Sequence, residues 1–213
     1  MTQTSRQASA TLALVETAFL ASTTVLLWLA DLLLPLAQFV RVLLPIPIVL
    51  CALRWNFRQA ALGMLAASLL ILTLCGPVSA LRYVLPFGVF GLWCSYGWPR
   101  SVAWQWSIPV GALISLAGFG LQIVLASWTL GTDTWALFGQ ETARAIQSLG
   151  VWLGVFWRPS SGLVQICAVV LLFCTGLMFA TGVHALGWLL LTRLGYRLKV
   201  PRLLENGLAR WLP

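Results

Sequence analysis

Arg41, in the run LAQFVRVLLPIP, and Arg82, in SALRYVLPFG, stand within or at the start of strongly apolar segments, and Asp31 closes another one. Ionisable groups inside apolar spans are costly to bury and usually functional. At one level of a helix bundle, two guanidiniums and one carboxylate make a site of net positive charge, suited to a carboxylate or a phosphate. In the competing reading both arginines snorkel to lipid headgroups and Asp31 pairs with one of them. Tyr83, Trp93, Tyr96 and Gln122 lie on the same segments or next to them and are candidate pocket residues, with simple packing as the alternative.

A second pair belongs at the opposite end. Glu16 falls about six residues into the first apolar run, and His184 about nine residues before Arg193 at the end of the last. A Glu–His contact inside a bundle is a candidate proton relay or coupling element. The alternative is a Glu16 that reaches water and a hydrogen-bonded packing histidine. In either case Glu16 and Arg41 lie at opposite ends and are not expected to pair.

The chemistry the chain lacks narrows the reading further. It has no phosphate-binding G-x-x-x-x-G-K-[ST] loop, no H-E-x-x-H, no G-x-S-x-G and a single histidine, so neither its own ATP hydrolysis, a zinc protease nor a triad hydrolase is expected. Cys51, Cys75, Cys94, Cys167 and Cys174 all fall in apolar runs without C-x-x-C spacing and read as packing residues. We expect no enzyme activity, no metal and no cofactor.

The elements that position these residues follow from composition. Only 8% of the 213 residues are charged and 60% are hydrophobic, and mean hydropathy is +0.92. A soluble domain carries roughly 25% charged residues, so the bilayer must solvate most of this surface. In lipid, each backbone polar group needs an internal partner, and the apolar runs are too long and too continuous for tilted strands. The prediction is all-α: a single domain over residues 1–213, with six spans near 10–30, 36–53, 60–75, 81–98, 102–130 and 162–192. Pro45 and Pro47 break the second. One arginine precedes the first span and no small-residue cleavage site follows, so that span is expected to be retained.

Charge sets the orientation. With the N-terminus in the cytoplasm, Arg6, Arg54, Arg58, Arg100, Arg193, Arg197, Lys199, Arg202 and Arg210 fall inside, and only Arg144 and Arg158 fall in outer links. Asp31, Asp133 and Glu141 are also outer. This positive-inside bias predicts an integral protein of a bacterial-type plasma membrane or a thylakoid, with both termini on the cytoplasmic or stromal side. The net charge of +8 is thereby assigned to topology and anionic lipid rather than to nucleic acid.

Residues 131–161, between the fifth and sixth spans, carry Trp135, Phe138, Ile146, Leu149, Trp152 and Phe156 at near-helical spacing, with Gln140, Glu141, Arg144, Gln147 and Ser148 between. This is an outer interfacial amphipathic helix opened by Thr132 and Asp133, and the GVWLGVFW run after it dips into the headgroups or covers the outer mouth. Residues 193–213 read as a basic cytoplasmic surface helix. Trp28, Trp55, Trp98, Trp104, Trp106, Trp128 and Trp211 fall at span ends, as interfacial belts require. The small residues Ala13, Thr17 and Ala21, then Gly111, Ser115 and Gly118, then Gly176 and Gly182, permit close helix contact.

The segments LLPIPIVLCALRW, FRQAALGMLAA and RYVLPFGVFGLWCSYGW resemble the YybS-like family of polytopic membrane proteins, which is distantly similar to the S components of energy-coupling-factor transporters. That resemblance implies six spans, cytoplasmic termini, a ligand site facing outward, and a membrane coupling subunit with separate ATPases as partners. The Ala-x-x-x-Ala contact typical of an S component's first span appears here as Ala13-x-x-x-Thr17-x-x-x-Ala21, and the short link after span one leaves any lid to residues 131–161. The expectation is an S-component-like protein that binds a small, anionic molecule from the outer side for uptake. The alternative is an accessory or assembly subunit of a larger membrane complex without a ligand of its own.

Overall fold

The computed structural model describes residues 3–34, 37–152, 154 and 159–195, and the side chains of 3–8 and 37–39 are not described. Arg158, half of the GVWLGVFW run and the basic tail beyond Gly195 therefore lie outside the described residues. Every element among those described is helical: α1 (Gln3–Leu33), α2 (Ala37–Leu43), α3 (Ile46–Arg54), α4 (Phe57–Cys75), α5 (Pro77–Tyr83), a π-helical turn (Val84–Val89), α6 (Phe90–Gly97), α7 (Trp104–Leu130), α8 (Thr134–Trp152) and α9 (Ser161–Arg193). The all-α polytopic membrane architecture read from composition is the one observed.

The helix boundaries have local causes. Asn56 Oδ1 accepts from Gln59 N at 3.0 Å and opens α4, which stops at Gly76 (φ 86°) just before Pro77. Gly131, left-handed at φ 64°, ends α7. Asp133 then opens α8 by accepting from Ala136 N at 3.0 Å, and Ser160 opens α9 by accepting from Leu163 N.

Five helical stretches are long and apolar enough to cross a membrane: Ser9–Leu33, Phe57–Cys75, Pro77–Gly97, Trp104–Leu130 and Ser161–Arg193. The span expected over 36–53 is instead two short helices, because Pro45 interrupts it. Pro45 has no N–H for the Arg41 carbonyl, which accepts from Leu44 N at 3.2 Å instead. Two ion pairs tie this broken segment antiparallel to α1: Arg41 to Asp31 and Arg54 to Glu16, both at 2.9 Å. Asp31 and Glu16 are about 22 Å apart along α1 at 1.5 Å per residue. The α2–α3 segment thus covers most of the thickness that α1 covers.

The core is aromatic and central. Trp28 of α1, only 2% exposed, meets Tyr83 and Phe87 edge-on at ring-centre distances of 5.8 and 6.0 Å. Phe179 of α9 meets Phe87 at 5.5 Å and Phe90 at 5.2 Å. Trp28 is therefore a core residue and not part of an interfacial belt. Trp98 is likewise buried, in van der Waals contact with the α9 backbone at Gly187. Trp106 and Trp128 are well exposed, as a belt requires.

The small-residue rows are internal seams. Ala13, Thr17 and Ala21 are buried, with Thr17 against Gly63 of α4 and Cys51 of α3. Gly118 brings α7 so close to the π-helical turn that a Cβ there would lie 2.7 Å from Pro86 backbone atoms. At Gly176 a Cβ would lie 2.9 Å from the Ala112 carbonyl, which fixes the α7–α9 approach.

Candidate functional site

Pro86 sets up the site. Proline lacks the N–H that would bond the carbonyl of residue 82 in an α-helical ladder, and its ring crowds that carbonyl. The chain answers with the π-helical turn Val84–Val89, and Gln122 of α7 donates its amide to the Arg82 carbonyl at 3.3 Å. The widened turn pushes Phe87 into the bundle while Arg82 remains half-buried on its rim.

A cavity of about 980 Å³ lies at this place. Its polar lining comprises Arg41, Arg82, Gln122, Thr129, Thr134 and Thr175. The remaining lining is apolar and includes Phe87, Phe119 and Phe179. Helices α2, α5, α7, α8 and α9 all contribute, with Thr134 and Phe138 supplied by α8. The segment 131–161, expected as a lid, thus reaches this cavity through its first turns.

The charge balance is positive. Asp31 is buried and both its oxygens receive the Arg41 Nε, at 2.9 and 3.3 Å, so the carboxylate is engaged and Arg41 is oriented. The Arg41 side chain stays 34% exposed, and its two Nη groups carry no bond to the described residues. Nor does the Arg82 guanidinium have a partner among those residues. One carboxylate against two guanidiniums leaves a surplus of one positive charge, and a wall of low polarity strengthens its field.

The structure thus brings Arg41, Arg82 and Gln122 into the lining of one cavity, and Asp31 pairs with Arg41. Tyr83 is fully buried against Trp28 and is not part of the lining. Trp93 and Tyr96 stack on each other on α6, Tyr96 lies under the Arg100 guanidinium, and Trp93 donates to the Ser107 carbonyl, all away from the cavity. Thr129, Thr134, Thr175 and the Phe119–Phe179 pair carried no signal in the sequence, since each looks like an ordinary residue of an apolar helix.

Glu16 and His184 have separate partners. Glu16 accepts from Arg54 Nη2 at 2.9 Å and from Trp55 Nε1 at 2.8 Å. His184 is fully buried among Phe90, Trp98 and Trp104, with Nδ1 2.8 Å from the Ala180 carbonyl and Nε2 2.9 Å from Ser107 Oγ. A carbonyl only accepts, so Nδ1 carries the proton, and in the neutral ring Ser107 donates to Nε2. The Glu16–His184 contact that register allowed as a candidate is not made; the alternative, a hydrogen-bonded packing histidine, describes His184. Among the described residues no cluster of three or more His, Cys, Asp or Glu has the proximity to hold a metal ion.

The family model described as a predicted membrane protein, DUF2232, matches residues 22–150, more than half of the chain, and the chain belongs to that family. No curated protein and no solved structure matches it. The matched residues include the π-helical turn, both arginines of the cavity and Gln122.

Proposed function

We propose that this DUF2232 chain is a non-enzymatic membrane protein that binds a small anionic molecule at the Arg41–Arg82 cavity, from the outer side, for uptake with separate ATPase subunits. The observation that carries the reading is the pair of guanidiniums in the lining of one cavity, with a single carboxylate, Asp31, already engaged by Arg41. Two arginines in a largely apolar lining with one engaged counter-ion leave a positive charge that a bound anion would complete. The uptake part rests on the resemblance to S components and on the orientation implied by the basic residues at the Glu16–Arg54 end.

The test is uptake and copurification. Arg41→Ala should abolish energy-dependent accumulation of the anion found by native mass spectrometry of the purified protein, while membrane insertion is unchanged. If no anion copurifies and the bundle excludes water at Arg41 and Arg82, the binding reading fails.

A second reading, an accessory subunit of a larger complex, is favoured by one observation. The first-span row Ala13, Thr17 and Ala21, the counterpart of the Ala-x-x-x-Ala contact of an S component, is buried, with Thr17 against α3 and α4 of the same chain. Purification in mild detergent separates the two: an ATPase pair supports uptake, and a large complex without bound anion supports the accessory role.

A further inference from the structure

Resting on the anion-binding reading, we propose that the cavity takes an amphiphilic anion: one carboxylate or phosphate group between Arg41 and Arg82, with an apolar body laid against Phe87, Phe119 and Phe179.

Three observations favour an amphiphile over a small hydrated anion. The first is size. About 980 Å³ is the upper end of what a ligand of several rings or a medium acyl chain occupies, far more than a lone phosphate fills. The second is the make-up of the lining. Apart from Arg41, Arg82, Gln122 and three threonines it is apolar, and Phe87 and Phe119 each pack edge-on against Phe179 with ring centres 5.5 and 6.5 Å apart. A fully hydrated anion would lose water to that aromatic wall without compensation, whereas an apolar body gains by covering it.

The third is the way in. Met178 lines the cavity and is 78% exposed, and Leu171 beside it is also exposed. Both are on α9, a helix long and apolar enough to cross the membrane, so this wall is continuous with a surface that meets lipid tails. An amphiphile can therefore enter sideways from the leaflet with its head at the arginine level. The same chemistry is offered by an anionic lipid of the bilayer and by a soluble aromatic or aliphatic acid.

The experiment uses the full chain in phosphatidylcholine nanodiscs with a diazirine-bearing dodecanoate, and its alcohol analogue as the uncharged control. The carboxylate should label α7 and α9 peptides containing Phe119 and Phe179 about tenfold more than the alcohol, the scale of one charge-assisted hydrogen bond. Arg82→Gln should remove that preference. Arg82→Lys, which keeps the charge, should retain it, and so should Arg144→Gln on the exposed side of α8. Equal labelling by acid and alcohol, or a preference unaffected by Arg82→Gln in monodisperse protein, overturns the proposal. If inorganic phosphate binds with Arg82 dependence and the dodecanoate does not label, the binding reading survives and the amphiphile proposal falls. If neither binds, both fall. Competition by phosphatidylglycerol alone identifies a bilayer lipid as the source, and competition by 3-phenylpropionate alone a soluble acid; either supports the ligand class.

Discussion

Gln122, on α7, donates its side-chain amide to the backbone carbonyl of Arg82, 40 residues away in sequence, at 3.3 Å. That carbonyl is the one Pro86 deprives of its α-helical donor, so the amide links α7 to the π-helical turn at the cavity wall. Gln122→Leu should cost about 1–3 kcal/mol, the range for a partly buried acceptor that loses a donor. Thermal unfolding in detergent reads it as a lower Tm. Pro86→Ala restores an N–H for the carbonyl, and in that background the same Gln122→Leu should cost measurably less. An equal loss in both backgrounds means the amide acts only through packing.

Asp31 and Arg41 are unequal partners, because the carboxylate is 5% exposed and the guanidinium 34%. Removing the arginine strands a buried charge, while removing the aspartate frees a group that still reaches water. Arg41→Leu should therefore destabilise by about 2–3 kcal/mol, a discount on the fully buried case, and Asp31→Asn by about 1 kcal/mol or less. The double variant Asp31→Leu/Arg41→Leu should recover most of the larger loss. A double variant as unstable as the two single losses added together would show that the pair contributes no mutual stabilisation.

The glycines of α7 and α9 separate contact from mere composition. A Cβ at Gly118 would press on the Pro86 backbone at 2.7 Å and one at Gly176 on the Ala112 carbonyl at 2.9 Å, whereas Gly120 has nothing within 4 Å. Gly118→Ala and Gly176→Ala should each cost about 1–3 kcal/mol through overpacking. Gly120→Ala should be neutral or slightly stabilising, since alanine is the better helix former by about 1 kcal/mol. Unfolding midpoints of the three purified variants decide it.

Much of this architecture was legible in the residues, and the misses share a cause. Long apolar runs and Gly-Pro junctions located the helices, and the Pro45–Pro47 break was visible because a proline's missing N–H is a local fact. The partners of Glu16 and His184 were not legible. Register along a helix gives height, but not which face meets which neighbour, so Arg54 and Ser107 could not be chosen over one another. Trp28 misled for a related reason: a tryptophan near a span end fits an interface, and only the packing of Tyr83 and Phe87 against it makes it core. The aromatic wall of the cavity was hidden because Phe87, Phe119 and Phe179 come together from three separate stretches.

The Glu16–Arg54 and Asp31–Arg41 pairs also make the crossing number testable. If α2–α3 traverses the bilayer alongside α1, the link at Leu34 and the link at Arg58 lie on opposite sides; if it folds back within one leaflet, they lie on the same side. Single cysteines at Leu34, Arg58 and Thr132 can be probed in intact cells with a membrane-impermeant maleimide, in a background where the native cysteines are serine or alanine. Leu34→Cys and Thr132→Cys should label from outside, and Arg58→Cys only after permeabilisation, consistent with six crossings and a cytoplasmic Glu16–Arg54 end. Labelling of Leu34→Cys and Arg58→Cys from the same side would reduce the crossings to five. The two chain ends would then face opposite compartments, and the even count on which the uptake reading depends would be lost.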